Sequence, residues 1–182
     1  MITVTNNPAL TAALGTASAT IAFTTDGTPG IQTTATSAKD GTSITLGSAT
    51  GIAGGDLLAV ETGAFDGVAP WIASVKSISG ATATVHFPSV RTAVSGAVCN
   101  RMERIETRFK AKKLVLTNTT SGDTYTWEVG MPLGSASKVS GGVTTTVNFN
   151  TMSNRSNCVA IHPNLLPANS SFTLKCDYSW YA

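Results

Sequence analysis

The residues able to do chemistry are few and widely spaced in this 182-residue chain. His86 and His162 are its two imidazoles. A Ser-His-Asp relay needs a base oriented by an acid beside a nucleophile on a strained turn, and neither histidine sits in such a local arrangement. His86 falls within the alternating run Thr82–Phe87 and reads as a half-buried strand residue. Cys99, Cys158 and Cys176, with His162, are ligand types that suit zinc. Their spacing matches no zinc knuckle or ribbon, so buried thiols serving as small apolar groups are the simpler reading. The acids Asp26, Asp40, Asp56, Glu61, Asp66, Asp123, Glu128 and Asp177 fall mostly at turns, and no pair stands out as the two carboxyls of a glycosidase. Gly54-Gly55-Asp56 has the glycines of a phosphate cradle, but no Lys-Ser/Thr follows and no helix begins there. The expectation is a non-enzymatic protein with no catalytic residues, no cofactor and no metal.

Short β-branched runs separated by Gly-rich breaks organise the chain instead. Between Gly41 and Cys99 they are Ser43–Leu46, Asp56–Glu61, Ile72–Ile78 and Thr82–Phe87. Breaks such as Ser79-Gly80 are hairpin signals, because glycine tolerates the positive φ of a tight turn. A second series follows: Lys113–Asn118, Thr124–Val129, Val143–Phe149, Cys158–Ile161 and Ser171–Tyr178. Tyr125, Trp127 and Val129 alternate onto one face, and Ser121-Gly122-Asp123, Gly141-Gly142 and Pro167-Ala168-Asn169 mark turns. The fold class expected is all-β: an antiparallel meander or barrel-like unit over residues 41–104, then a small β-sandwich over 105–182. Residues 1–40 carry scattered single hydrophobes (Leu10, Leu14, Ile21, Phe23, Ile31) whose spacing fits neither a firm helix nor a firm strand, and read as an extended arm with one or two edge strands, ordered mainly by a neighbour. Met102, Ile105 and Phe109 recur at spacings of three and four, so residues 100–113 suit a short amphipathic helix or a long connecting strand.

Charge is sparse, at 12% of residues against about 25% in ordinary globular chains. Ser and Thr supply roughly a quarter of the residues, against which a surface of hydroxyls rather than ions is expected. Such a surface is poorly guarded against association, which a permanent partner would cover. Of the twelve basic residues, Arg101, Arg104, Arg108, Lys110, Lys112 and Lys113 crowd into one short segment. That segment suits an acidic protein surface or a lysine-guarded strand edge. It carries no recognition helix or RNA-module signature, and direct nucleic-acid binding is not expected. An odd cysteine count argues against a closed disulfide framework and leaves room for one cross-chain bridge. The N-terminus lacks the charged and apolar regions of a secretory signal and no apolar run approaches membrane-spanning length. Synthesis in a reducing cytoplasm, with no membrane partner, is therefore expected. Asn118, Asn154 and Asn169 match the glycosylation pattern, as chance provides in so Ser/Thr-rich a chain.

The wording SITLGSATGIAGGDLLAVETG, then VKSISGATATVHFPSV and a closing AVSGAVCNR, resembles segments of virion structural proteins of tailed bacteriophages. Head decoration, or cement, proteins are the most similar type. The resemblance implies a protein of the capsid exterior that binds the major capsid protein in many copies, forms dimers or trimers with itself and clamps capsomers. Its partner contacts are expected at Trp71, Arg101, Arg104, Arg108, Lys110, Trp180 and Tyr181. A tail, neck or baseplate component is the alternative within that class. A carbohydrate-binding adhesin module is the alternative outside it, with Trp71, Tyr125, Trp127, Trp180 and Tyr181 as stacking platforms.

Overall fold

The computed structural model describes residues 1–5, 11–13, 16–61, 71–107, 110–131, 135–148, 152–154 and 158–179. In chain order the strands begin with β1 (Ile2–Val4), β2 (Thr11–Ala13), β3 (Thr16–Thr25), β4 (Gln32–Ser37), β5 (Ser43–Leu46) and β6 (Leu57–Val60). Next come β7 (Trp71–Ser79), β8 (Thr82–Val85), β9 (Ala93–Arg101), β10 (Glu103–Glu106), β11 (Lys113–Asn118) and β12 (Thr124–Glu128). The last are β13 (Ser135–Ser140), β14 (Val143–Asn148), β15 (Met152–Asn154), β16 (Cys158–Ile161) and β17 (Ser171–Ser179). Among the described residues the helical content is one 3-10 turn, Pro163–Leu165. The all-β expectation holds, and no helix among these residues is long and apolar enough to cross a membrane. Residues 100–113 supply the end of β9, β10 and the start of β11 rather than a helix. Ile105 is buried between exposed Arg104 and Glu106, the period of two that a half-buried strand requires.

The chain divides into two units, residues 30–103 and residues 1–29 with 104–182. The division after Glu103 falls within a residue of the boundary expected near Arg104, whereas the first falls at 29/30 rather than at 40. The segment read as an arm is shared out: β3 lies between β1 and β17 within a sheet, and β4 is a stave of a barrel. The physical reason lies in small residues. Ala17, Ala19, Ile21 and Phe23 alternate inward along β3 with Ser18, Thr20, Ala22 and Thr24 between them, a strand pattern muted because alanine carries little hydropathy.

Residues 30–103 form a closed antiparallel barrel, in the order β4-β5-β8-β7-β6-β9. Its lining combines Ile44, Leu46, Leu58, Val60, Val75, Val85 and Cys99 with the alanines 35, 73, 83, 93 and 97. A six-stranded lumen is narrow, so small side chains are needed to fill it without strain. Gly54-Gly55 serves this closure. Gly55 N–H donates to the Val75 carbonyl at 2.9 Å, and a Cβ on Gly54 would lie 2.9 Å from the Lys76 carbonyl oxygen. The Asp56 carboxylate accepts from Ala53 N–H at 2.8 Å. The diglycine thus lets backbone approach backbone, which accounts for it without an anion.

The other unit packs an eight-stranded sheet, ordered β1-β3-β17-β11-β12-β13-β14 with β2 also on β3, and a three-stranded sheet β10-β16-β15. Its core runs through Ile21, Phe23, Ile105, Leu114, Leu116, Val159, Ile161, Phe172, Leu174 and Tyr178. Phe23 and Phe172 are register partners across β3 and β17, and their rings stack with centroids 5.1 Å apart and planes 8° from parallel. Phe172→Ala empties a fully buried site and should cost about 3–5 kcal/mol. Lys175→Ala, on the exposed face of the same strand, should stay within about 0.5 kcal/mol. Urea unfolding of the two variants checks the contrast, and equal midpoints would refute the assigned core.

Candidate functional site

The two histidines fall in different units and different surroundings. His86 follows β8 and is exposed rather than half-buried, since β8 ends at Val85 as the chain turns toward Pro88. His162 is buried at 1% exposure and caps the 3-10 turn, where its Nδ1 accepts from Asn164 N–H at 3.2 Å. A ring nitrogen that accepts is unprotonated, and burial lowers the His162 pKa to about 4, opposed only in part by the Asn164 side chain. The ring is a neutral cap, suited to structure more than to proton transfer at neutral pH.

The three cysteines are free and buried. Cys99 lines the barrel, and burial with the nearby Glu61 charge pushes its thiol up to about 12. Burial raises Cys176, in the other unit, to about 11. Thiols so shifted are poor nucleophiles and poor ligands at neutral pH. Among the described residues no group of three His, Cys, Asp or Glu side chains could hold a metal. Asn118 is buried, its side-chain oxygen accepting from the N–H groups of Thr120 and Ser121 at 2.9 and 3.1 Å. That use as a turn clasp accounts for one of the three glycosylation matches.

The expected partner contacts that are described fall in both units. Arg101 is spent within the barrel: one guanidinium nitrogen donates to the Gly51 carbonyl at 3.0 Å and another meets Glu103 at 3.2 Å. Arg104 pairs with Glu106 at 2.8 Å on an exposed surface, and Lys110 is exposed. Arg101 belongs to one unit and Arg104 and Lys110 to the other. Trp71 opens β7 half-buried, packed against the barrel lining. Trp127 packs against the other core, and Tyr125 is buried within it. Each of these rings packs against the core of its own unit. Arg108, Trp180 and Tyr181 lie outside the described residues.

Two surfaces that the sequence reading did not single out are conspicuous. On the barrel, Phe87, Val90 and Val94 are 69, 64 and 55% exposed along the β8–β9 connection and the start of β9. Large apolar side chains grouped on a short stretch are a docking feature when single ones are not. Their signal was the run His86-Phe87-Pro88-Ser89-Val90, where a proline ends the strand and leaves two hydrophobes beyond it. In the other unit, β14 ends the eight-stranded sheet, and residues 143–146 are exposed on both faces. Comparison with protein-family models, curated proteins and solved structures finds no match.

Two outcomes follow from this chemistry. The folded His162 pKa lies below its unfolded value of about 6.5, so stability is full above that pH and falls as the unfolded chain takes up a proton between about 6.5 and 4. The loss should reach about 3 kcal/mol, read as a falling urea midpoint. His162→Asn, which keeps a capping acceptor, should flatten the dependence between pH 6.5 and 4.5; an unchanged slope would refute the assignment. A disulfide thiol reagent at pH 8 should leave the native protein essentially unlabelled and label Cys99, Cys158 and Cys176 together once denaturant is added. Rapid labelling of the folded chain would contradict the burial of these groups.

Proposed function

We propose that this chain is a non-enzymatic structural protein of a tailed-bacteriophage virion, bound in many copies to the capsid exterior, where it stabilises contacts between capsomers. The observation that carries the reading is the apolar group Phe87, Val90 and Val94, displayed on the barrel. That barrel contains the stretch 41–99 whose wording resembles phage virion proteins. The chain as a whole is rich in Ser and Thr and poor in charge, so a partner covering such side chains strips water from few ions. Burying each contributes at most about 1.5–3 kcal/mol. Such a contact is weak for one copy and sufficient across a lattice, where repeated attachment multiplies into avidity. The major capsid protein is the partner this reading names. Arg104 and Lys110, exposed on the other unit, suit an acidic surface beside it.

Cryo-imaging of the virus particles that contain this chain tests the proposal. Wild-type protein should occupy the outer head lattice at a copy number comparable with the capsid protein. The Phe87→Ser/Val90→Ser variant should fold with unchanged stability and show at least tenfold lower occupancy. Density confined to the tail, neck or baseplate would replace the head assignment with the tail alternative. Absence from particles would overturn the reading altogether.

A further inference from the structure

The free edge of the eight-stranded sheet has a symmetry of its own. Strand β14 reads Val143-Thr144-Thr145-Thr146-Val147 before Asn148, a palindrome centred on Thr145 without charge or proline. Edge strands are ordinarily guarded by lysine, proline or a bulge, since unpaired N–H and C=O groups template the addition of another strand. Among the described residues nothing pairs with the outer side of β14. The nearest lysine does not guard it. Lys138 lies opposite Thr145 on β13 but turns inward, 3.4 Å from Asp123 and 5.5 Å from the centroid of the Tyr125 ring.

We propose that this edge takes a second copy of the same chain, paired antiparallel about a two-fold axis through Thr145. Backbone geometry sets the register. Gly141 and Gly142, at φ 55° and 81°, form the two-residue turn between β13 and β14, and Ser140 faces Val143 across it. A turn of this type closes on a hydrogen-bonded pair, and such pairs alternate along an antiparallel ladder. Val143, Thr145 and Val147 therefore spend their backbone groups on β13, whereas Thr144 and Thr146 point theirs outward. Pairing about Thr145 sets each outward Thr144 opposite Thr146 of the second copy, so both exchange N–H···O bonds. It also brings Val143 against Val147 of the second copy, twice, in the close non-hydrogen-bonded positions where side chains touch best. Thr145 meets its own image on the axis.

Neighbouring registers lose this matching. Centred on Thr146 they oppose Val147 to Thr145, and centred on Thr144 they oppose Val143 to Thr145 and set Gly142 against Thr146. Val147 already packs against the core and Val143 is 63% exposed, so the pairing extends an existing apolar row into a symmetric one. The pairing is independent of any larger assembly and stands or falls separately from the virion reading.

Analytical ultracentrifugation and engineered crosslinking of the full chain test it. The wild type should sediment as a concentration-dependent dimer. Thr145→Lys, which places two like charges on the axis at an exposed position, should shift the dimerisation constant at least tenfold toward monomer with the melting curve of the folded monomer unchanged. Under mild oxidation Thr145→Cys should form a covalent dimer, because a residue on the axis faces itself at near-disulfide distance. Thr144→Cys and Thr146→Cys should each stay largely uncrosslinked, since each faces the other position. A wild type that remains monomeric at submillimolar concentration would overturn the proposal. So would dimers indifferent to Thr145→Lys, or crosslinking at position 144 or 146 equal to that at 145.

Discussion

The pairing of β3 with β17 is the interaction on which the unit of residues 1–29 and 104–182 depends. Nine residue pairs, from Ser171 with Thr24 to Ser179 with Thr16, join a strand near the start of the chain to one near its end. The stacked Phe23 and Phe172 rings sit within this ladder. Of what lies between the two strands, the β11–β14 meander extends the same sheet from β17, while the barrel and the small second sheet are excursions from it. Closing so long a loop costs entropy before any contact returns it, and pairings of this separation fold slowly. The reward is cooperativity, since neither end of the chain can leave without opening the core.

The barrel meets the matching requirement of an insertion, that its entry and exit lie side by side. Strands β4 and β9 pair antiparallel, with Gln32 opposite Asn100 and their side chains hydrogen-bonded at 3.1 Å. Arg101 N–H donates to the Ile31 carbonyl at 2.9 Å, and its guanidinium ties the exit to Gly51 and Glu103. A side chain that sequence reasoning placed on a partner surface is thus a clasp holding the mouth of an inserted module. Its half-buried pairing with Glu103 gives that clasp more force than the exposed Arg104–Glu106 pair, where water screens the attraction.

What the sequence disclosed and what it hid divide along physical lines. Strands whose inward positions hold Ile, Leu or Val were legible: β5, β11 and β16 coincide with the expected runs, and β8 and β17 depart from them by a residue or two. Strand β3 was hidden because alanines at 17 and 19 bear its first inward positions. Strand β13 was hidden because Ser137, Lys138 and Ser140 leave little periodic hydropathy. The basic segment was read as one patch, whereas Arg101 and Arg104 make different ion pairs, with Glu103 and Glu106, and fall on either side of a unit boundary. Trp71, Tyr125 and Trp127 looked like anchors because aromatic rings serve cores and interfaces alike, and only burial separates the two uses. The exposed Phe87 was passed over because it closed the run Thr82–Phe87 read as continuous strand, and Val90 because it stood alone beyond that run.

An edge that invites pairing raises the question of what stops the sheet from growing. A β14-to-β14 contact is isologous: each copy contributes the same strand, and the axis uses both edges at once. The sheet that results ends on β1 and β2 in each copy, both only three residues long. Strands so short are poor templates for further addition. Growth therefore closes at two copies along this direction. A palindromic neutral strand on one side and strands of three residues on the other distinguish an edge built to pair once from one left open to aggregation.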